Sequence, residues 1–314
     1  MMALDVAFSI EFDDFVDPDR AYELFWSGVI TNKKAFLCPG ENCDAQVTCA
    51  NLDSESQDMK VVPHFRVYGK HHSDCELNND VPLKIEKIID LSKKQEKLSI
   101  DHSVVDSFSL VRPESYYNSN KVGGDKYKKV VDRKKYKLQI LSANLKQVGS
   151  IGKIYSVRTI VSRYLRYYND GSINLRKINV SGKDFSYKEI LKRIDNQRIE
   201  DLSEFPLIYY GWAYIDKYDN AYRIKFKKNF LVNSKEVPVT LFITNKIIDR
   251  YPIRNLMVKR MRKISNQAKP TGFVFVYSKP KLVESKKNGR VYVNFDVMNL
   301  DFIDINVDTP LPSK

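Results

Sequence analysis

Apolar and polar positions alternate with different periods in different parts of the chain, and the changes of period outline its organisation. Residues 5–35 alternate weakly. The stretches DVAFSIEF and LFWSGVITN read as strands on either side of a turn at Asp17-Pro18-Asp19-Arg20, because Asp before Pro favours turn entry. Within residues 82–98, Leu83, Ile85, Ile88, Ile89 and Leu91 recur at near-helical spacing, which predicts a short amphipathic helix. From Ser99 to about Lys134 the chain is rich in Ser, Asp, Asn and Lys, contains Gly123-Gly124 and enters a basic run, the composition of a linker. Residues 153–168 form a basic amphipathic helix stopped at Asn169-Asp170-Gly171, and INLRKINV follows as a strand. Ser186 and Glu189 have the spacing of a capping box, so another short helix starts there.

The last hundred residues are the most regular. LIYYGWAYID (207–216) and NAYRIKFKKNFLV (220–232) predict a β-hairpin, and VPVTLFIT (237–244) a third strand. A helical stretch from Asn245 to Asn266 follows, broken at Pro252. GFVFVYSKPKLV (272–283) and RVYVNFDVM (290–298) predict a second hairpin, with FIDINV (302–307) as a final strand. The fold class expected is α+β, and the strand-strand-strand-helix-strand-strand order is that of an OB-like barrel. Residues 1–98 are then a zinc-binding module, 99–134 a linker, 135–205 a mixed helical subdomain and 206–314 the barrel.

Composition changes this picture in one respect. The chain of 314 residues carries a net charge of +13, unevenly spread. Residues 1–120 hold 12 Lys and Arg against 21 Asp and Glu, whereas residues 121–314 hold 40 against 18. A strongly basic back half points to a polyanion partner, nucleic acid before membrane. Alternation in the first hairpin sends Arg223, Lys225 and Lys227 to one face, where cations can track a phosphate backbone. Tyr210, Trp212 and Tyr214 share a face of the partner strand and can serve as stacking surfaces for bases. Arg254, Lys259, Arg260 and Lys263 on the helix, with Lys281, Lys286, Lys287 and Arg290 on the second hairpin, extend the basic surface. No apolar run reaches the roughly 18 residues that a membrane span needs, and the N-terminal stretch is acidic where a signal peptide is basic, so a cytoplasmic location is expected.

All four cysteines, Cys38, Cys43, Cys49 and Cys75, lie close together with His64, His71 and His72. Zinc takes thiolate and imidazole ligands in tetrahedral sets, and short hooks let one turn supply two of them. Cys38-Pro-Gly-Glu-Asn-Cys43 is one hook and His72-Ser-Asp-Cys75 the other. Two or three thiolates are the mark of a structural site rather than a catalytic one. This segment, with Phe36-Leu-Cys38-Pro39, Cys43, Val47, Pro63-His64-Phe65 and Cys75, resembles the N-terminal zinc-binding segment of CoiA-type competence proteins and related mobile-element proteins. The resemblance covers about 45 residues and implies Cys38, Cys43, His64 and Cys75 as ligands, whereas hook geometry prefers His72 to His64. Val67 stands where the family often has a second histidine, so the fourth ligand stays open between His64, His72 and, ranked last, His71.

The expected function is that of a non-catalytic nucleic-acid-binding protein with a structural zinc site, of prokaryotic or phage origin and in a defence or mobile-element setting. Two alternatives stand beside it. The resemblance implies a metal-dependent nuclease, for which Glu284-Ser-Lys286 is the one candidate motif. The acidic front could instead dock a protein partner in a larger assembly.

Overall fold

The computed structural model describes residues 3–4, 6–40, 43–55, 59, 61–73, 75, 104–113, 116–117, 153–169, 171, 173–195, 197–285 and 289–311. The helix expected at 82–98 and the basic run near Lys134 lie outside them. The chain divides into two units that are not contiguous in sequence: 1–54, 59–153 and 175–182 belong to unit 1, and 55–58, 154–174 and 183–314 to unit 2. The boundaries expected from composition are contiguous. Within the stretch read as a linker, Val104–Phe108 is a strand, paired in parallel with Arg176–Val180 of the same unit.

Unit 1 is built on a six-stranded sheet from β1 (Ala3–Leu4), β2 (Ala7–Ser9), β3 (Asp14–Val16), β4 (Phe36–Leu37), β5 (Gln46–Ala50) and β6 (His64–Val67), ordered β1-β6-β5-β4-β2-β3. The second strand expected near the N-terminus is instead the end of helix α1 (Pro18–Trp26) and the turn after it. The reason is local. Asp17 is extended and its carboxylate accepts the Arg20 N–H at 2.9 Å, so it caps a helix whose first residue is proline, the one position where a missing N–H costs nothing. The Asp-Pro pair therefore starts a helix rather than a turn. Period-two burial along β5 puts Val47 and Cys49 in the core, with Cys49 opposite Phe65 of β6.

Helix α1 also buries a charge. Glu23 is almost fully enclosed, and its carboxylate takes an ion pair from Arg112 and a 2.7 Å hydrogen bond from the Tyr116 hydroxyl. Burial pushes the Tyr116 phenol well above its ordinary value, and the adjacent Glu23 charge adds to this. The Arg20 guanidinium lies 4.9 Å from the Phe12 ring centre and 5.0 Å from that of Tyr116.

Unit 2 is dominated by one long open sheet. Taking Val104–Phe108 as β7 and Arg176–Val180 as β8, its strands are β9 (Leu191–Arg193), β10 (Leu207–Lys217), β11 (Ala221–Phe226), β12 (Val239–Thr244), β13 (Thr271–Ser278), β14 (Lys281–Glu284), β15 (Val291–Phe295) and β16 (Ile303–Asn306). The order is β14-β15-β12-β11-β10-β13-β16, with β9 pairing in parallel to β10. Its helices are α2 (Val157–Asn169), α3 (Tyr187–Ile190), α4 (Asn245–Asp249) and α5 (Arg254–Ser265). Both bonds of the Ser186–Glu189 capping box are present at the start of α3. The break at Pro252 separates α4 from α5 as expected.

The barrel expectation is corrected: the element order is close to the one read from sequence, but the sheet does not close. The second predicted hairpin is the cause. β13 is buried along nearly its whole length and fits only between neighbours, so it inserts between β10 and β16. β14, exposed at all four residues, is an edge strand, and with β15 it forms the hairpin at the far end, where β15 runs parallel to β12. Pro280 lies between β13 and β14, where a residue without an N–H cannot continue a ladder.

Helix α5 turns Leu256, Met257, Met261 and Ile264 inward. A Cβ on Gly272 would lie 3.1 Å from Ile264 Cδ1 and 3.0 Å from Ile215 Cδ1, so the glycine in β13 lets the helix approach the sheet. The same helix places Arg260 at 1% exposure, donating to Asp304 Oδ1 at 2.6 Å and to the Ile305 carbonyl at 3.0 Å. Arg260 is therefore a buried structural cation and leaves the set of expected nucleic-acid contacts.

Removing one partner from a buried ion pair leaves the other charge uncompensated. Arg112→Ala in unit 1 is accordingly expected to cost about 3–5 kcal/mol, measured as a fall in the denaturation midpoint. A loss under about 1 kcal/mol would mean that Glu23 finds another partner.

Candidate functional site

Cysteine and histidine side chains converge at one end of the β4-β5-β6 portion of the unit 1 sheet. Cys38 follows β4 directly, and Cys43 sits in the loop that returns as β5. The loop is closed by Cys38 N–H to the Ala45 carbonyl at 2.9 Å and Cys43 N–H to the Gly40 carbonyl at 3.3 Å. Beyond β6, Tyr68 and Gly69 both donate to the Gln46 carbonyl, which keeps the chain beside β5 as it approaches His71. A Cβ at Gly69 would fall 2.6 Å from the Gln46 nitrogen, so this close passage needs glycine.

The ligand atoms of Cys38, Cys43, His71 and Cys75 all lie within 4.8 Å of one another. His71 Nδ1 is 3.5 Å from Cys38 Sγ, 3.4 Å from Cys43 Sγ and 3.4 Å from Cys75 Sγ, and the Cys38 and Cys75 sulfurs are 3.9 Å apart. A tetrahedral zinc with ordinary bond lengths requires edges of about 3.8 Å between sulfurs and about 3.5 Å between sulfur and nitrogen. The three cysteines are buried and His71 is half-buried. The group is a candidate metal site, compatible with zinc.

The histidine at this site is His71, in place of the expected His64 or His72. A turn closes from the His72 carbonyl to the Cys75 N–H at 3.0 Å, and the residue just before that turn is the one that joins Cys75. His72 itself is exposed and contributes backbone, its N–H bonding the Cys43 sulfur. Both ring nitrogens of His64 are already engaged: Nδ1 lies 2.9 Å from the Val62 carbonyl, and Nε2 accepts from Arg66 Nε at 2.8 Å. Cys49 is a core residue of β5.

Electrostatics differ among the thiols. Burial raises Cys38 far above the ordinary thiol value despite an N–H bond from Gly40, and the neighbouring Cys43 and Cys75 sulfurs add to the rise. Burial also works against Cys43, but N–H groups of His72 and Ala45 and the two partner thiols outweigh it and lower the group. Cys43 is thus readier than Cys38 to present a thiolate. Burial raises Cys49 too, reinforced by Asp19 and Asp17, consistent with an inert core thiol.

The expected nucleic-acid residues fall in different settings. Lys225 and Lys227 are exposed on or just after β11, with Lys227 Nζ 5.4 Å from the Trp212 ring centre and 5.2 Å from that of Tyr214. Arg223 is paired with Asp216 at 2.6 Å, Lys281 with Asp296 at 2.8 Å and Lys259 with Glu55 at 2.9 Å. Arg254, Lys263 and Arg290 are exposed, Arg254 reaching the Asp249 carbonyl at 3.4 Å. Lys286 and Lys287 lie outside the described residues. Tyr210 is half-buried against Phe273 and Phe275, and Trp212 stands edge-on to Phe273 at 5.5 Å. Glu284 is exposed on edge strand β14, and among the described residues it joins no cluster of metal-ligating side chains.

One aromatic was missed. Phe242 is 50% exposed in the middle of β12, directly opposite Arg223. The signal was present in VPVTLFIT, where Phe242 falls in phase with Thr240 and Thr244 rather than with Val239, Leu241 and Ile243.

Comparisons of the chain with protein-family models, with curated proteins and with solved structures find no match.

His71→Ala is expected to lower bound metal at least tenfold, whereas His64→Ala and His72→Ala leave it unchanged, as measured by competition with a chromogenic chelator. Gly40→Ala should also weaken binding, because its Cβ would come within 2.5 Å of Cys75 Sγ and 3.3 Å of Cys38 Sγ. A His64→Ala variant that loses metal while His71→Ala keeps it would reverse the assignment.

Proposed function

We propose that the protein binds nucleic acid without catalysing a reaction, and that a zinc ion on Cys38, Cys43, His71 and Cys75 holds the end of the unit 1 sheet. Three thiolates and one imidazole are the donor set of a closed structural zinc site, with no coordination position left for water or substrate. When bound, the ion supplies folding energy, replacing a hydrophobic core where two loops carry mostly polar residues.

The observation that carries the nucleic-acid reading is the exposed face of β10 and β11, where Lys225 and Lys227 stand beside Trp212 and Tyr214. Among the described residues neither lysine has an ion pair, in contrast to Arg223, Lys259 and Lys281. Unpaired cations at fixed positions on a rigid sheet are suited to phosphates, whose counterions they displace. The basic excess of the second half of the chain supports the same partner. The resemblance to CoiA-type proteins is the ground for a mobile-element or defence setting.

Elemental analysis of the purified protein should return one zinc per chain. Electrophoretic binding to oligonucleotides should weaken steeply between 50 and 200 mM salt, on the order of tenfold or more. Lys225→Ala with Lys227→Ala should flatten that dependence by roughly one unit of slope per lost phosphate contact. Absence of binding to every oligonucleotide would remove this reading, and magnesium-dependent cleavage abolished by Glu284→Ala would replace it with the nuclease alternative.

A further inference from the structure

Across β10, β11 and β12 the two faces of the unit 2 sheet differ sharply, whereas β13 is buried on both. Ala213 and Ile215 of β10, Ile224 and Phe226 of β11, and Leu241 and Ile243 of β12 are all essentially buried and point to one side. The registers Asp216↔Arg223, Tyr214↔Lys225 and Arg223↔Phe242 place the alternate residues on the other side. There Tyr214 is 44% exposed and Phe242 50% exposed, with Trp212 half-exposed two residues from Tyr214. Tyr218, 49% exposed, lies under the Arg223 guanidinium at 5.5 Å from the ring centre. Trp212, Tyr214 and Phe242 are on central strands, so their exposure does not come from a sheet edge: β11 lies between β10 and β12, and β12 has β15 on its far side.

We infer that this face is a stacking platform for unpaired bases, so that the nucleic acid bound is single-stranded. The inference rests on the nucleic-acid reading above and narrows its substrate. Rings that lie on a sheet can stack only on bases whose faces are open, and a duplex hides those faces within its own stack. Nor does the face fit the major groove of a duplex. The major groove is about 12 Å wide and admits a two-stranded ribbon, whereas strands spaced about 4.8 Å apart make this part of the sheet wider than that.

The arrangement of charge fits the same partner. Residues two apart on a strand sit roughly 7 Å from one another on one face, so Trp212 and Tyr214 offer two successive surfaces. Lys225 is directly across from Tyr214, and Lys227 Nζ lies 5.2 Å and 5.4 Å from the centres of the Tyr214 and Trp212 rings. Lys227 Nζ stands over both rings, so a base stacking on them displaces it toward the strand's phosphates, with Lys225 beside it. Arg223 is already neutralised by Asp216 at 2.6 Å and 3.1 Å, so it supports the edge of the platform rather than a phosphate. Asp216 and Asn294 on the same face make it too polar for a lipid surface.

The experiment uses the full chain and fluorescein-labelled 20-nucleotide oligo(dT), oligo(U) and a mixed-sequence duplex of the same length at 50 mM salt. Tighter binding to at least one single strand than to the duplex is expected. The ratio of oligo(U) to oligo(dT) affinity separates RNA from DNA as the source of that strand. Tyr214→Ala and Phe242→Ala should each weaken single-strand binding roughly 10- to 100-fold and leave the salt slope unchanged. Tyr214→Phe should retain wild-type binding, because stacking does not use the hydroxyl. Both positions are exposed, so unchanged circular dichroism and melting temperature accompany these effects. Equal or tighter binding of the duplex, or a Tyr214→Ala/Phe242→Ala double variant that binds single strands like the wild type, overturns the platform while nucleic-acid binding stands. Failure of the wild type to bind any of the three removes the wider reading as well.

Discussion

A slip of β11 by one residue against β10 would bring Ile224 and Phe226 to the surface and push Lys225 into the core, because side chains alternate with a period of two. That register therefore decides both the stability of unit 2 and what it presents to its surroundings. It is held from three directions: Ile215 opposes Ile224 within the core, Leu241 continues the same layer on β12, and the Asp216–Arg223 pair joins the two strands on the outer face. Burying isoleucine, leucine or phenylalanine side chains contributes roughly 1.5–3 kcal/mol each, so a slipped register would forfeit many such terms at once. Over β10, β11 and β12 the outer face can carry exposed rings because the inner-face residues Ala213, Ile215, Ile224, Phe226, Leu241 and Ile243 are buried.

Unit 1 relies on a different kind of constraint near its cysteines. The loops at 38–45 and 68–75 have few large apolar side chains to bury, and their geometry is set by backbone hydrogen bonds and by Gly40 and Gly69 at close approaches. A metal ion joining four side chains would close both loops onto the sheet, which small folds otherwise achieve with disulfides. Elsewhere in the unit the buried Glu23–Arg112–Tyr116 group ties α1 to a segment some ninety residues later. Unit 2 contains a counterpart in Arg260, Asp304 and Asn306. In each case a charge is enclosed with its partners, an arrangement that is costly to break and that composition counts as surface charge.

Much of the local structure was legible in the chain. Period-two alternation located β10, β11, β12 and β16, Pro252 separated α4 from α5, and Ser186 with Glu189 marked the start of α3. The cysteine spacing marked a candidate metal site and three of the four residues that meet there. What failed had specific causes. Asp17-Pro18 starts a helix as readily as a turn, and only the Arg20 N–H bond to Asp17 shows which. Arg260 looks like every other cation of its helix until its stripe is packed against the sheet. Neighbouring histidines 71 and 72 cannot be ranked by spacing, since the direction of a side chain depends on the turn that follows it.

Periodicity, composition and local spacing were enough for most elements of the last hundred residues, the split of charge between the two halves and the cluster of thiols and imidazoles. The insertion of β13 between β10 and β16, which leaves an open sheet instead of a barrel, emerges only on packing, since strand neighbours are chosen by burial on both faces and not by order in the chain. Packing also decided which cations remain unpaired, because Arg223, Lys259, Lys281 and Arg260 meet their carboxylates through strand pairing or across long separations. Which histidine joins the three cysteines was decided in the same way, by a turn that directs His71 to Cys75 while His64 is held by Val62 and Arg66.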